Sequence, residues 1–299
     1  MSQQVRYNPT GKYMQFPAPS VFAMNDRRIV VLEFRYTTLG EYILIKTTTL
    51  DNKEGEITFG DNDDIEIAFG DIGDQTLGVL DGDLFIVVSA SEDAREDPLV
   101  MVIHLDEAHY GQYEEYRGFA GAAVPIGMKD NIIYAGTSRD NLAMIEGFNV
   151  MTRRTEYRYE PSGESIVSQL REIYDGSRAT GSIKEGGPSG YKTAEIVSIP
   201  SGLTHLIIED VEDLVIAKYG AFYVSKNNEI YYSTFQGQSY KLNFAPNAID
   251  VEPGDSSVVA ASDSGESIWL GTMFDEYFHI VNYQLDKSRV QKSARKTYR

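Results

Sequence analysis

The chain has 299 residues and a mass of 33.4 kDa, is 42% hydrophobic and 24% charged, and carries a formal charge of −18. A chain of this size buries about three quarters of its unfolded surface, and its globular composition excludes wholesale disorder and collagen-like repetition. Zero cysteines exclude disulfides, thiol catalysis and Cys-zinc sites. The acid excess excludes a nucleic-acid or anionic-membrane footprint on the body.

Residues 1–20 hold Arg6 and Lys12 and no acid. They lack the apolar stretch of a secretory signal, so synthesis in the cytoplasm is expected, with or without later incorporation into a particle. Pro9, Pro17 and Pro19 disfavour a regular central strand. With Tyr7, Tyr13 and Phe16 they predict an extended arm that either lays aromatic rings on a partner's surface or adds a strand to the chain's own terminal blade and closes the ring.

From residue 21 onward, β-branched and aromatic runs recur between Gly, Asp and Asn. They cover 29–34, 42–49, 84–89, 99–105, 132–135, 194–199, 206–208, 229–235, 267–271 and 277–283. All are strand-length, far short of the roughly 20 apolar residues that span a bilayer, so no membrane insertion is expected. Many short strands with close turns predict an all-β sandwich, barrel or propeller.

Residues 60–74 carry Asp61, Asp63, Asp64, Glu66, Asp71 and Asp74. Oxygen-rich loops of this kind can hold calcium, but the glycine and glutamate of an EF-hand loop are missing at its sixth and twelfth positions. These acids therefore read as turn formers. Residues 161–190 depart from the strand rhythm. Ile166, Leu170, Ile173 and Tyr174 share a helical face there, with Ser162 placed to cap and Gly176 to stop, and predict a short inserted helix. Residues 287–299 hold Lys287, Arg289, Lys292, Arg295, Lys296 and Arg299 with no acid. The body between the two basic tails, 21–286, thus keeps 19 bases against 45 acids.

Six segments repeat one plan of two strands, a polar turn and a more polar third strand, each preceded by a small apolar stretch. Aligned at Ile29, Phe85, Ile132, Thr180, Ile230 and Ile268, they are separated by 56, 47, 48, 50 and 38 residues. Four-stranded propeller blades repeat at roughly 40–50 residues. On this rhythm the chain resembles a six-bladed β-propeller over about residues 20–290. No blade signature recurs, and the rhythm leaves five or seven blades open. The expected organisation is an N-terminal arm at 1–20, a propeller body at 21–286 with an insertion at 161–190, and a basic tail at 287–299.

The search for chemistry returns little. His104, His109, His205 and His279 show no metal-ligand spacing, and no zinc-protease or nucleophile-elbow motif stands in a suitable context. Asp263-Ser264-Gly265 before Trp269 is similar to the Asp-box of sialidases. However, Ala261 stands where that motif has Ser or Thr, Trp269 comes one residue late, and no other repeat carries the motif. It reads as a turn. The expectation is a protein without catalytic residues, metal or cofactor. The competing classes are a propeller hydrolase with an axial metal and a glycan- or peptide-binding module.

The tails carry the functional expectation. Arg6, Tyr7, Lys12, Tyr13 and Phe16 in the arm, with Lys287, Arg289, Lys292, Arg295, Lys296, Tyr298 and Arg299 in the tail, are the expected contacts to other structural proteins or to copies of the same chain. An acidic body, aromatic arms, no cysteine and 20 tyrosines resemble virion and tail proteins of tailed bacteriophages. That likeness implies a structural or docking component of a larger assembly.

Overall fold

A computed structural model describes residues 3–37, 40–50, 55–60, 64–68, 76–89, 98–119, 123–139, 142–161, 165–166, 169–184, 192–247 and 256–287. Among them lie twenty-five strands, grouped into antiparallel sets in chain order. The first strand, β1 (Gln3–Pro17), finds its place last.

The first set is β2 (Val21–Met24), β3 (Arg28–Thr37), β4 (Gly40–Thr49) and β5 (Ile65–Ala68). The second is β6 (Thr76–Asp81), β7 (Leu84–Ser89), β8 (Leu99–His104) and β9 (Tyr113–Arg117). The third is β10 (Ala123–Lys129), β11 (Ile132–Arg139), β12 (Leu142–Asn149) and β13 (Arg154–Tyr159). In the fourth, two short strands, β14 (Ser165–Ile166) and β15 (Arg171–Glu172), both pair with β16 (Arg178–Lys184), which continues to β17 (Thr193–Ile199) and β18 (Thr204–Glu209). The fifth is β19 (Asp213–Ala217), β20 (Gly220–Val224), β21 (Ile230–Thr234) and β22 (Ser239–Phe244). The sixth is β23 (Ser257–Ala261), β24 (Ser267–Phe274) and β25 (Tyr277–Leu285), completed by β1.

Burial follows this order. The middle strands β7, β8 and β20 are apolar and buried almost throughout, because neighbouring sets cover both faces of each sheet. The outer strands β9 and β13 are polar and mostly exposed. Hydrophobic clusters sit between consecutive sets. Leu32, Ile45 and Phe85 join the first to the second. Val88, Ala135 and Phe148 join the second to the third, and Ile145 meets Leu170 and Val197 between the third and fourth. Ile196 meets Leu214 between the fourth and fifth, and Phe222 meets Ile268 between the fifth and sixth. Finally Trp269 and Ile280 of the sixth pack on Met24 and Ile29 of the first. The seams close a ring. Fully burying each such side chain contributes about 1.5–3 kcal/mol. The architecture is a β-propeller.

Ring closure depends on β1. Residues Gln3–Tyr7 run parallel to β22, and residues from Tyr7 to Pro17 run antiparallel to β25, so the two terminal sets merge into one eight-stranded sheet. The prolines are accommodated because from Pro9 onward β1 has a ladder on one side only, and the register shifts between Pro9 and Tyr13. Of the two readings of the extended arm, the structure shows the strand added to the chain's own sheet.

A correction concerns residues 161–190. The described part holds no helix; β14 and β15 supply the inner edge of the fourth set instead. Leu170 and Ile173 are buried as expected, whereas Tyr174 is exposed. Gly176 takes φ +80° in the turn before β16, a conformation suited to glycine. Ser162 lies outside the described residues.

Polar ties reinforce the second, third and fourth sets. Arg178 donates to both carboxylate oxygens of Asp81 at 2.6 and 2.7 Å, and to the carbonyls of Met128 at 2.6 Å and Leu170 at 3.1 Å. The Met128 N–H donates to Asp81 at 2.8 Å. Gly127 passes so close that an added Cβ would stand 2.7 Å from Asp81 Oδ2 and 2.7 Å from Leu170 Cβ. Asn25 performs a smaller version of this task, donating to the Gly82 carbonyl at 3.0 Å while its oxygen accepts from the amides of Arg27 and Arg28.

Candidate functional site

The axis of the ring is the first place to look for chemistry. A channel of about 370 Å³ is lined by the inner strands β2, β6, β10, β19 and β23, together with Gln169 and Arg171. Its walls are chiefly aliphatic, including Val79, Ile126, Leu214 and Val258. The polar groups have protein partners. Gln169 donates to the Met24 carbonyl at 2.8 Å, and Arg171 donates to the Ala261 carbonyl at 2.9 Å. Asp213 is the one acid among the described lining residues, and burial pushes its carboxyl above the usual carboxylate range. A metal held on the axis needs several converging oxygen ligands. The described lining supplies one carboxylate.

The Asp263-Ser264-Gly265 segment is the β23–β24 turn: Gly265 N–H donates to the Ser262 carbonyl at 2.9 Å, and Trp269 is buried in the last seam. Of the loop at 60–74, Asp64 and Glu66 are described, while Asp61, Asp63, Asp71 and Asp74 lie outside the described residues.

The described docking residues separate into three groups, and the rest lie outside the described residues. The rings of Tyr7 and Phe16 are buried within this chain: the Tyr7 hydroxyl donates to the Gly265 carbonyl at 2.7 Å, and Phe16 packs against Phe22, Phe59 and Phe278. Their contact is with the chain's own sheet, because β1 turns these faces into the seams. Arg6, Lys12 and Tyr13 are half-buried. Arg6 borders a groove of about 1060 Å³ beside Tyr240 and Phe244, Lys12 reaches the Leu50 carbonyl, and Tyr13 exchanges backbone bonds with Gly55 and Ile57. Lys287 is exposed and pairs with Glu266 at 2.7 Å. Arg289, Lys292, Arg295, Lys296, Tyr298 and Arg299 lie outside the described residues.

Sequence reasoning missed an aromatic patch. In a four-stranded meander the first and third turns lie at one end of the sheet. That end of the fourth and fifth sets gathers Tyr174 from the β15–β16 turn, Leu203 from the β17–β18 connection, His205 from the start of β18, Tyr219 from the β19–β20 turn and Phe235 after β21. Ring centroids of Tyr174, His205 and Phe235 are 5.4–6.0 Å apart, and Phe235 N–H donates to the Tyr219 carbonyl. Leu203, Tyr219 and Tyr174 are 59%, 53% and 47% exposed. Beneath them, His205 Nε2 meets Ser198 Oγ, which lies 2.9 Å from Ser177 Oγ, and Ser177 donates to Asp175 at 2.6 Å. Ser198 is buried and Ser177 half-buried, and their hydroxyls are taken up in the relay that orients the imidazole. The rim is charged, with Lys218 paired to Glu172 at 3.1 Å. No local sequence signal marks the patch, since its members come from four separate turns.

The same end of the second set holds His104, Asp106 and His109 in and beside the β8–β9 turn. His109 Nδ1 lies 2.9 Å from Asp106 Oδ1, and His104 Nδ1 lies 3.5 Å from Asp106 Oδ2. The hydrogen bond from His109 is the main cause holding the Asp106 carboxyl below its ordinary range. A local His-x-Asp-x-x-His spacing was the available sequence signal. His279 is remote from this trio, in β25, with its ring 6.5 Å from that of Phe274.

The comparisons with known proteins reach the fold and stop there. No family model matches the chain, and no curated protein matches it in sequence. Among solved structures, a chain of the "Crystal Structure of Mitotic Checkpoint Complex" is similar over 91% of this chain and 95% of its own, at 10% identity and a TM-score of 0.51. The "Dos1 propeller" covers 93% and 95% at 7% identity and TM-score 0.45. BamB from Moraxella catarrhalis covers 89% and 85% at 12% identity and TM-score 0.42. These likenesses are of fold alone.

Proposed function

We propose that the chain is a protein-docking propeller whose six strand sets act as six blades, and that it works as a component of a larger assembly. The observation that carries this reading is the patch of Tyr174, Leu203, His205, Tyr219 and Phe235. The contacting rings of Tyr174, His205 and Phe235, of which Tyr174 is exposed, stand with the exposed Leu203 and Tyr219 on a rigid scaffold, and such aromatic clusters are the kind of group that anchors protein interfaces. A hydrolase with an axial metal is disfavoured by the aliphatic channel and its single described carboxylate. With a net charge of −18, the surface suits a partner segment that is basic as well as apolar. The expected contacts of residues 287–299 belong to the same proposal, as a second attachment to an acidic neighbour. The finer reading, a bacteriophage particle component, rests on composition alone.

The test places a photo-crosslinking residue at Leu203 or Tyr219, and as a control at Met273 on the opposite end of the sixth set. The expected result is one discrete crosslinked partner from 203 and 219, lost when Tyr174→Asp is added without change in melting temperature. Crosslinking from 273 alone, or crosslinks indifferent to Tyr174→Asp, would overturn the assignment of this face.

A further inference from the structure

We infer that His104, Asp106 and His109 form a binding site for a divalent transition-metal ion of the zinc type, with the fourth position left to water. The chemistry of the donors points that way. Two imidazoles and one carboxylate favour zinc, cobalt, nickel or copper over calcium and magnesium, which prefer all-oxygen sites. Three protein ligands are the usual complement of an open zinc site.

Geometry gives the second argument. The three side chains each bring a ligand atom, and these atoms all lie within 4.8 Å of one another. Zinc bonds of about 2.0–2.2 Å in a tetrahedron set neighbouring ligand atoms roughly 3.3–3.5 Å apart. The 3.5 Å between His104 Nδ1 and Asp106 Oδ2 matches that spacing and is too long for a good hydrogen bond. His109 Nδ1 lies 2.9 Å from the other carboxylate oxygen, Oδ1, in a hydrogen bond that an ion would replace.

The turn itself does not depend on the imidazoles. Asp106 Oδ1 already accepts from the amides of Ala108 and His109, both at 3.1 Å. Backbone bonds from His104 N–H to Gln112 and from Gly111 N–H to His104, each 2.9 Å, fix the base of the loop. The frame is therefore built before a metal arrives, which lowers the ordering cost of binding. The rings stand 5.6 Å apart and tilted, with His109 more exposed than His104, so an ion enters from solvent.

The experiment uses the full chain, stripped with chelator and then titrated with Zn²⁺ by calorimetry and with Co²⁺ by visible absorption. One equivalent per chain is expected, with a cobalt d–d band of four-coordinate intensity and no heat from Ca²⁺ or Mg²⁺. His109→Asn and Asp106→Asn should each weaken Zn²⁺ binding at least tenfold, His104→Gln/His109→Asn should abolish it, and His205→Gln should leave it unchanged. Melting curves of the metal-free variants check the fold, and the cobalt band of the parent chain stands independently of any variant. Absence of saturable Zn²⁺ binding, undiminished binding in the double variant, or loss in His205→Gln would overturn the site.

Discussion

The seam between the fifth and sixth strand sets and the junction of the second, third and fourth solve the same problem with different chemistry. The first is held by backbone: β1 extends one ladder along β22 and another along β25, so main-chain hydrogen bonds carry the chain across the gap. The second is held by side chains: Asp81 and Arg178, with the Met128 amide and carbonyl between them, pin three sets through one cluster of short hydrogen bonds. A ladder spreads its stabilisation over many modest contributions. The cluster concentrates it in two ionised groups that would be costly to leave unpaired. Truncation should therefore break the first seam, whereas a single substitution should damage the second.

Deleting residues 1–17 makes the largest expected change. It removes both ladders together with the buried Tyr7, Met14 and Phe16, and leaves the edges of β22 and β25 bare. Calorimetry should find no cooperative melting transition. A shortened chain that melts as sharply as the full one would show that the ladders are dispensable.

Asp81→Ala comes next. Both charged groups at this tie are less than one-fifth exposed, so the Arg178 guanidinium would be left largely desolvated without its partner. Denaturant melts should show a loss of about 3–5 kcal/mol, with much of it recovered in Asp81→Ala/Arg178→Met. A loss below 1 kcal/mol would place the strength of this junction in its apolar seam.

The smallest expected effect belongs to pH. Burial raises the Tyr7 hydroxyl well above its ordinary value of 10.0. The folded chain therefore keeps this proton where the unfolded chain has lost it. Its contribution is fully present below pH 10 and declines as pH rises above that value toward the folded pKa. Tyr7→Phe should cost about 1 kcal/mol at neutral pH through the lost bond to Gly265 and should reduce the decline at alkaline pH. An unchanged alkaline slope in Tyr7→Phe would assign the effect to other tyrosines, such as Tyr232, which burial pushes up to about 12.

The strands were legible because a sheet covered on both faces must be apolar along its length, as in β7 and β8. Positions aligned at Ile29, Phe85, Ile132 and Ile268 fall near the starts of β3, β7, β11 and β24, each the second strand of its set, whereas Ile230 opens β21, the third strand, one strand out of register. Pro9 argued against a regular central strand because proline cannot donate, and it sits where β1 pairs with β25 alone and the register shifts. What failed was an inference from single residues. Leu170 and Ile173 argued for a helix because burial at that spacing also arises from a broken inner strand entering the core. The aromatic patch was illegible in principle. Tyr174, His205 and Phe235 become neighbours only once the fourth and fifth sets stand side by side, and no pairwise spacing encodes that.

The placement of β1 also has a history in time. Tyr7 and its carbonyl partner Gly265 are 258 residues apart. At a synthesis rate of about 5–20 residues per second, the strand leaves the ribosome roughly 10–50 seconds before the carbonyl it will bind. During that interval Tyr13 and Phe16 can already meet Gly55, Ile57, Phe22 and Phe59 of the first set, but the Tyr7 hydroxyl and the ladder to β25 have no native partner. Five strand sets can stack while they wait, but the ring stays open, and β1 remains exposed to any other strand edge nearby. Production of this protein is thus most vulnerable to misassembly late in synthesis, when the body is nearly built and the ladder of β1 to β25 is still unmade.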